Sequence, residues 1–469
     1  MAFGKEKDLT TGSIRRYTFT LGVPVMLGMG LQQVYALVDL MWVGRLGPDA
    51  IAAVSLAGML FFIFFSFSQM LGAGTLAIVA NDYGRGDREH AVHTVRNVMF
   101  VASLWGAALS VICLLWAPEV MKLLGGKDEV IALGAAYLEP FGVGFFFQMT
   151  GYVLMFAQRG SGDMRTSMMI LFVSTILNMV LDPFLIYGWW GFPKLGVAGA
   201  GWATLISISI ATLYLAFVTI SGRTLLHVPF TLRFKPDWRN IAETLKIGVP
   251  AGIQFAFISF SVMLVMKAVA WYGMKPVAAL GTSWRLLQFA TVPVMGLGAA
   301  VSTLVGQNLG AGKIERAKEA HKYGVISGAA VAAGPALLIA IFPDFFMSFF
   351  TKSPEIIVYC RLILRVLATN QVLIGINIMF NSTFSGAGDN TMPMIAAGLR
   401  AVVLVGLAYT LPKLAGMGLL GVWVSMPVGS VISLAMLYHL YRKGRWQTHM
   451  KNIKEQRANT IAAAAVTIE

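Results

Sequence analysis

Twelve apolar segments of about 20 or more residues recur along this chain, and no other feature constrains its fold as strongly. A helix rising about 1.5 Å per residue needs about 20 residues to cross about 30 Å of hydrocarbon, so each segment is long enough to span a bilayer. Their expected limits are roughly 17–43, 51–80, 95–116, 130–156, 168–188, 196–221, 244–271, 278–306, 323–346, 356–382, 394–415 and 418–441. No sizeable soluble domain remains. The composition agrees: 57% of the 469 residues are hydrophobic, 12% are charged and the mean hydropathy is +0.71, far from the averages of soluble globular chains. The expected fold is an all-α integral membrane protein.

The net charge of +14 does not point to nucleic acid, because of where the charge sits. Lys and Arg concentrate on the two tails and the even-numbered loops. By the positive-inside rule this places both termini in the cytoplasm of a multi-pass protein of the plasma (inner) membrane, in contact with anionic lipid. The basic head, residues 1–16, precedes the first helix without a short apolar region and small-residue cleavage site, so no removable signal peptide is expected. Arg15 and Arg16 are read as a topology anchor. Cys113 and Cys360 fall singly inside helices, too isolated for a disulfide framework or a metal site. The tail 460–469, with its run of four alanines, is expected to be disordered or a frayed helix.

Sliding the chain against itself reveals one offset. Gly22-Val23-Pro24 returns as Gly248-Val249-Pro250, Gly47 as Gly273, Ala52-Ala53 as Ala278-Ala279, Gly84 and Gly86 as Gly310 and Gly312, Ala91 as Ala317, and Gly162-Asp163 as Gly388-Asp389. Every pair is 226 residues apart. The chain therefore reads as two pseudo-symmetric six-helix bundles: an N-lobe at 17–221 and a C-lobe at 244–441, joined by a linker at 222–243 and followed by a tail at 442–469. Six is even, so the halves are parallel repeats about an axis along the membrane normal, an arrangement suited to alternating access by rocking.

The repeat also shows what is not duplicated. Asp39, Asn178 and Asp182 have Val265, Leu404 and Ala408 as their counterparts. Gln32, Tyr35 and Asp39 stand at i, i+3 and i+7 on the first helix, and Ser174, Asn178 and Asp182 at i, i+4 and i+8 on the fifth, so each set forms one polar stripe. Thr204 and Ser207 offer hydroxyls from the sixth helix. Asp39 lies roughly 30 Å and Asp182 roughly 20 Å along their helices from the cytoplasmic side, so these groups can share the outer half of the membrane.

An acid at such depth costs at least about 2.5–3.5 kcal/mol on insertion scales and usually marks an ion or proton pathway. Two acids in one dry pocket do not easily both ionise, which suits the pair to accepting a proton or requiring a cation. Two carboxylates with an amide and hydroxyls equally suit Na⁺ held by Asp39, Asn178, Asp182 and Thr204. Blander readings exist for each: Asp39 as an interfacial residue neutralised by Arg45, Asp182 as a polar cap on the carbonyl that Pro183 leaves unpaired, and Tyr35, Asn178 and Thr204 as interhelical glue.

Pro24 and Pro250 remove an N–H at equivalent places and are candidate hinges. Glu139, before Pro140, is a possible accessory acid or the partner of a base, and Gln32 and Ser174 are further accessory candidates. Lys267, Arg285, Arg361 and Arg365 are expected to snorkel to the headgroups, whereas Arg400 lies deeper. The 26 methionines and 30 phenylalanines are read chiefly as core and lipid-facing residues. No nucleotide loop, metal cluster or nucleophile arrangement is found, so no enzymatic activity and no cofactor are expected.

The motifs Gly22-Val23-Pro24, Val38-Asp39 with Gly44-Arg45-Leu46-Gly47, Tyr83-Gly84-Arg85-Gly86-Asp87, Gly160-Ser161-Gly162-Asp163 and its echo Ser385-Gly386-Ala387-Gly388-Asp389 resemble those of multidrug and toxic compound extrusion (MATE) transporters over nearly the whole chain. The resemblance implies a monomeric antiporter that exports amphiphilic, cationic drugs or metabolites between two lobes, driven by H⁺ or Na⁺. Similar proteins of the DinF-like branch place the coupling site in the first lobe, and the matching positions here are Pro24, Tyr35, Asp39, Asn178, Asp182 and Thr204. The NorM-like branch carries acids in its second lobe, where this chain has Ser259 and Asn370. A lipid-linked precursor flippase and a non-transporting membrane scaffold are the rival readings.

Overall fold

The computed structural model describes residues 8–229, 231, 234–414 and 416–450; the tail 460–469 and the start of the basic head lie outside them. Among these residues fourteen α-helices follow one another: α1 (Ile14–Gly44), α2 (Pro48–Arg85), α3 (Arg88–Leu123), α4 (Asp128–Leu138), α5 (Phe141–Ser161), α6 (Met164–Tyr187), α7 (Val197–Ile220), α8 (Trp238–Ala270), α9 (Met274–Gly310), α10 (Ile314–Ile341), α11 (Pro343–Ser348), α12 (Pro354–Gly386), α13 (Thr391–Leu414) and α14 (Leu419–Arg442). All but α4 and α11 are long and apolar enough to cross a membrane, which makes twelve spans, and no strand occurs among the described residues.

The two extra helices come from prolines. The fourth expected span, 130–156, divides into α4 and α5 because Pro140 has no N–H to donate, and around it Gly142 N and Val143 N reach only three residues back, to Glu139 O (2.9 Å) and Pro140 O (3.1 Å). The ninth, 323–346, ends at Ile341. Phe342 leaves helical dihedrals (φ −117°, ψ 51°), and Pro343 starts α11 at a helix N-terminus, where its missing N–H is not needed.

The repeat is written in the backbone. Gly47 and Gly273, Gly86 and Gly312, and Gly162 and Gly388 all adopt positive φ, between +73° and +120°, at loops 226 residues apart. Only a residue without Cβ enters that region without strain, so these glycines fix where each helix stops. Beyond the fifth span of each half the spacing shortens to 222: Gly196 (φ 58°, ψ −131°) leads into α7 as Gly418 (φ 53°, ψ −137°) leads into α14.

The chain forms two compact units, the first built from Leu27–Val79 and Asp87–Gly252, the second from Asp8–Met26, Ala80–Gly86 and the chain from Ile253 onward. Helices α1 and α8 thus each contribute to both, changing over after Met26 and Gly252, two residues beyond Pro24 and Pro250. In the first unit the core gathers Phe64, Phe141, Phe145, Met149 and Leu138, with ring centroids 5.0 Å apart for Phe64–Phe145 and 4.9 Å for Phe61–Phe141. The start of α8 packs on α2 backbone to backbone: a Cβ on Gly248 would lie 1.8 Å from the Met70 carbonyl oxygen, and one on Gly74 would lie 2.3 Å from that of Thr244. Asp163 caps α6, accepting from Thr166 N (3.0 Å) and Thr166 Oγ1 (2.7 Å), which satisfies one of the helix's orphan donors.

In the second unit Val265, Leu280, Leu364, Leu404, Ala408 and Trp423 form the apolar core. Its own close approach repeats the first: a Cβ on Gly296 would meet Met26 N at 2.8 Å. The first described residues are tied down here, with Lys313 Nζ donating to Thr10 O (2.9 Å) and Arg316 Nη1 to Gly12 O (3.0 Å). Of the basic residues expected to snorkel, Lys267, Arg285, Arg361 and Arg365 are exposed, and Arg361 is paired with Asp344 through two hydrogen bonds of 3.1 and 2.8 Å.

Two stability predictions follow from these contacts. Gly248→Ala forces α8 off α2 and lowers the melting temperature of the purified protein, whereas Gly30→Ala, with nothing within 4 Å of the added Cβ, leaves it within about 0.5 kcal/mol of wild type. Asp163→Ala loses the cap and about 1 kcal/mol of stability, and Asp163→Asn retains most of it, as read from the same thermal unfolding curves.

Candidate functional site

The first unit brings the two polar stripes together. α1 and α6 run in the same direction, tied at their C-terminal ends by the Tyr187 hydroxyl donating to the Trp42 carbonyl (2.5 Å). Trp42 O, in the last turn of α1, also accepts from Arg45 N (3.3 Å), and its second lone pair takes the hydroxyl. Trp42, Tyr187 and Trp189 pack edge-on around this tether.

Thr204 of α7 sits between the stripes. Its Oγ1 accepts from Asn178 Nδ2 (3.1 Å), stands 3.5 Å from the Tyr35 hydroxyl, and donates to the Ala200 carbonyl one turn back (3.0 Å). This fixes the Asn178 amide with its nitrogen on Thr204, so its Oδ1 is left buried without a hydrogen-bond partner. Tyr35, Asn178, Thr204, Gln32 and Ser174 line a cavity of about 120 Å³ with Gln148 and Thr212. That volume holds water or a small cation with part of its shell; pockets for drug-sized ligands begin near 300 Å³.

The acids stand one helical turn further along. Asp39 follows Tyr35 and Asp182 follows Asn178, each by four residues on helices that run in parallel, and they lie within electrostatic reach of each other. Asp182 is fully buried, and neither of its carboxyl oxygens has a hydrogen-bond partner among the described residues. Asp39 is partly buried. Arg45 does not neutralise Asp39: its guanidinium stacks over the Trp42 ring, 4.8 Å from the centroid. Nor does Asp182 cap a carbonyl at Pro183, since it makes no hydrogen bond there.

Other expected residues lie elsewhere. Pro24 belongs to the second unit, inside an uninterrupted α1, and Glu139 is exposed at the α4–α5 break with no ion pair among the described residues. Tyr137, Gln148 and Thr212 were not anticipated. Tyr137, buried on α4, is within electrostatic reach of both acids, and Gln148 on α5 presents a buried Oε1 without a partner. Tyr137 sits inside an apolar run, so its only sequence signal is the adjacent Glu139-Pro140 break.

The equivalent place in the second unit has been converted to hydrocarbon. Val265, Leu404 and Ala408, the counterparts of Asp39, Asn178 and Asp182, are 1%, 5% and 1% exposed and belong to that unit's core. The tether survives there one turn further in, as Tyr409 of α13 donating to the Leu264 carbonyl of α8 (3.2 Å).

Comparison with known proteins agrees with this architecture. The MatE family model matches twice, at residues 24–184 and 250–410, and these two stretches are themselves 226 apart. The chain is 32% identical to the probable multidrug resistance protein YoeA of Bacillus subtilis over 90% of its own length and 92% of that protein's. It is 26% identical to the multidrug export protein MepA of Staphylococcus aureus, over 89% and 92%. Among solved structures, one of a MATE transporter in complex with MaL6 superposes with a TM-score of 0.88 at 27% identity, covering 96% of this chain and 100% of that one. An outward-facing MATE transporter of the MOP superfamily gives 0.88 at 27% identity, over 96% and 99%. Twelve spans in a repeated arrangement, a family match to both halves and this likeness of fold together make the chain a member of the MATE family of multidrug efflux transporters, a multi-pass membrane protein and not an enzyme.

Proposed function

We propose that this protein is an H⁺- or Na⁺-coupled antiporter that exports small amphiphilic, cationic drugs or metabolites by alternating access, with Asp39 and Asp182 as the coupling acids. The observation that carries this reading is Asp182: a carboxyl group with no exposure and no hydrogen-bond partner, facing a second acid inside a membrane-spanning bundle. Such a group is tolerated when a proton or a cation neutralises it. The Oδ1 of Asn178 supplies a further orphaned oxygen, so Na⁺ would find carboxylate, amide and hydroxyl oxygens on three helices. The names of the relatives, multidrug resistance and multidrug export proteins, support the substrate class.

In the proposed cycle the site faces outward and a cation neutralises the Asp39–Asp182 pair. Neutralisation removes the repulsion that holds α1 from α6, α1 shifts about Pro24, and the affinity for a cationic substrate is lost so that it leaves. Inward movement of one charge contributes about 2.3 kcal/mol per 100 mV of membrane potential. Tyr35, Thr204 and Asn178 orient the acids, with Gln32 and Ser174 as accessory polar groups. The working parts are the lobes 17–221 and 244–441 of a monomer, with both termini in the cytoplasm.

Efflux of a fluorescent organic cation from proteoliposomes under separate H⁺ and Na⁺ gradients tests this. Asp39→Asn and Asp182→Asn each lower gradient-driven efflux at least tenfold under the one effective gradient; efflux that stays coupled in both variants would sink the proposal. Thr204→Val removes the acceptor shared by Tyr35 and Asn178 and weakens the apparent affinity for the coupling cation roughly three- to tenfold, about 0.5–1.5 kcal/mol. Tyr35→Phe, losing only the 3.5 Å contact, has the smaller effect on the same half-saturating concentration.

A further inference from the structure

A second and larger cavity, about 430 Å³, opens on the first unit at the end opposite the acids, between the early turns of α3, the last turns of α7 and the connection that follows α7. Arg96, Met99 and Phe100 of α3, Ala216 and Ile220 of α7, and Val228 of the connection are among its walls. Its described lining contains one cationic side chain and no carboxylate. Arg96 donates from Nη2 to the Pro229 carbonyl (2.6 Å), but its Nε is buried without a hydrogen-bond partner among the described residues. A guanidinium offers five donors in a planar fork matched to carboxylate and phosphate, so this one is only partly used.

The apolar walls continue onto uncovered helix surface. Below Ile220 the same face of α7 presents Phe217 and Leu213, 54% and 57% exposed, and α3 carries Leu104, 55% exposed, one turn beyond Phe100. Both helices are long and apolar enough to cross a membrane, and exposed apolar side chains on such helices suit contact with acyl chains. Arg223, just beyond the end of α7, carries a second positive charge on this face, its guanidinium 5.2 Å from the centre of the Phe217 ring. The cleft therefore has a basic head open to the interface and an apolar trough leading into the bilayer, a combination that neither a soluble anion nor a neutral lipid fully matches.

We propose that this cleft is a binding site for a phospholipid with an anionic headgroup, its phosphate on the Arg96 guanidinium and one acyl chain along the α3–α7 face. The lipid phosphate takes up guanidinium donors that the Pro229 carbonyl leaves unused. The site shares no side chain with the acid cluster and does not depend on what the protein transports.

Native mass spectrometry of the full-length protein in mild detergent tests it, with titration by phosphatidylglycerol and by phosphatidylcholine of the same chain length. Phosphatidylglycerol is expected to be retained at least fivefold better. Arg96→Gln removes that preference, as does Ala216→Phe, which fills the cavity with Arg96 in place; Lys122→Gln, which removes an exposed charge at the far end of α3, keeps it. Melting curves confirm which variants fold, and either cavity variant alone suffices. Undiminished preference in a folded Arg96→Gln or Ala216→Phe protein, or equal retention of both lipids, would overturn the site. Displacement of the bound lipid by millimolar inorganic phosphate would overturn the lipid assignment in favour of a soluble anion.

Discussion

A buried carboxyl group with no hydrogen-bond partner among the described residues is the constraint on which the proposed coupling site rests. Asp182 is shut away from solvent on a membrane-spanning helix, with both oxygens unsatisfied and Asp39 as its electrostatic neighbour. Burying an unpaired charge costs far more than any single packing contact returns, which is why the proposed function has a proton or a cation neutralise it. The surroundings match that requirement. Thr204 turns the Asn178 amide so that its oxygen is left unpaired, and the polar cavity one turn below is wide enough for water or a cation and too small for a drug.

The internal repeat shows that the scaffold does not need those acids. Both halves keep the left-handed glycines that end their helices and the glycine approaches that let α8 lie on α2 and α1 on α9. At the places of Asp39, Asn178 and Asp182 the second half has Val265, Leu404 and Ala408, packed into an apolar core. The same six-helix plan is stable with hydrocarbon where the first half carries charge. Selection for something other than folding is the simplest account of that difference, and the proposed coupling site in one lobe would supply it.

Much of this was legible in the sequence, because the lipid environment and the repeat are both strong signals. Twelve apolar runs gave twelve spans, and the offset of 226 located the paired turns before any coordinates. Helical spacing placed Gln32, Tyr35 and Asp39 on one face and Ser174, Asn178 and Asp182 on another, and Thr204 does join them. Three things were hidden. Proline breaks at Pro140 and Pro343 look like kinks inside continuous apolar runs, since hydropathy does not register a missing N–H. Tyr137 and Gln148 reach the site from helices without a polar stripe, so periodicity gives no hint of them. The changeover of α1 and α8 between units just past Pro24 and Pro250 is a matter of packing, which pairwise spacing along one helix does not encode.

The central claim is that cation and cationic substrate exclude each other through Asp39 and Asp182. Equilibrium binding of a fluorescent organic cation to the purified protein, measured across pH at fixed Na⁺ and across Na⁺ at fixed pH, tests it most directly. The account predicts that wild-type affinity falls as one of the two cations rises and that Asp182→Asn, already neutral, shows a flat dependence on both. Wild-type affinity that is indifferent to H⁺ and to Na⁺, or an unchanged cation dependence in Asp182→Asn, would contradict it.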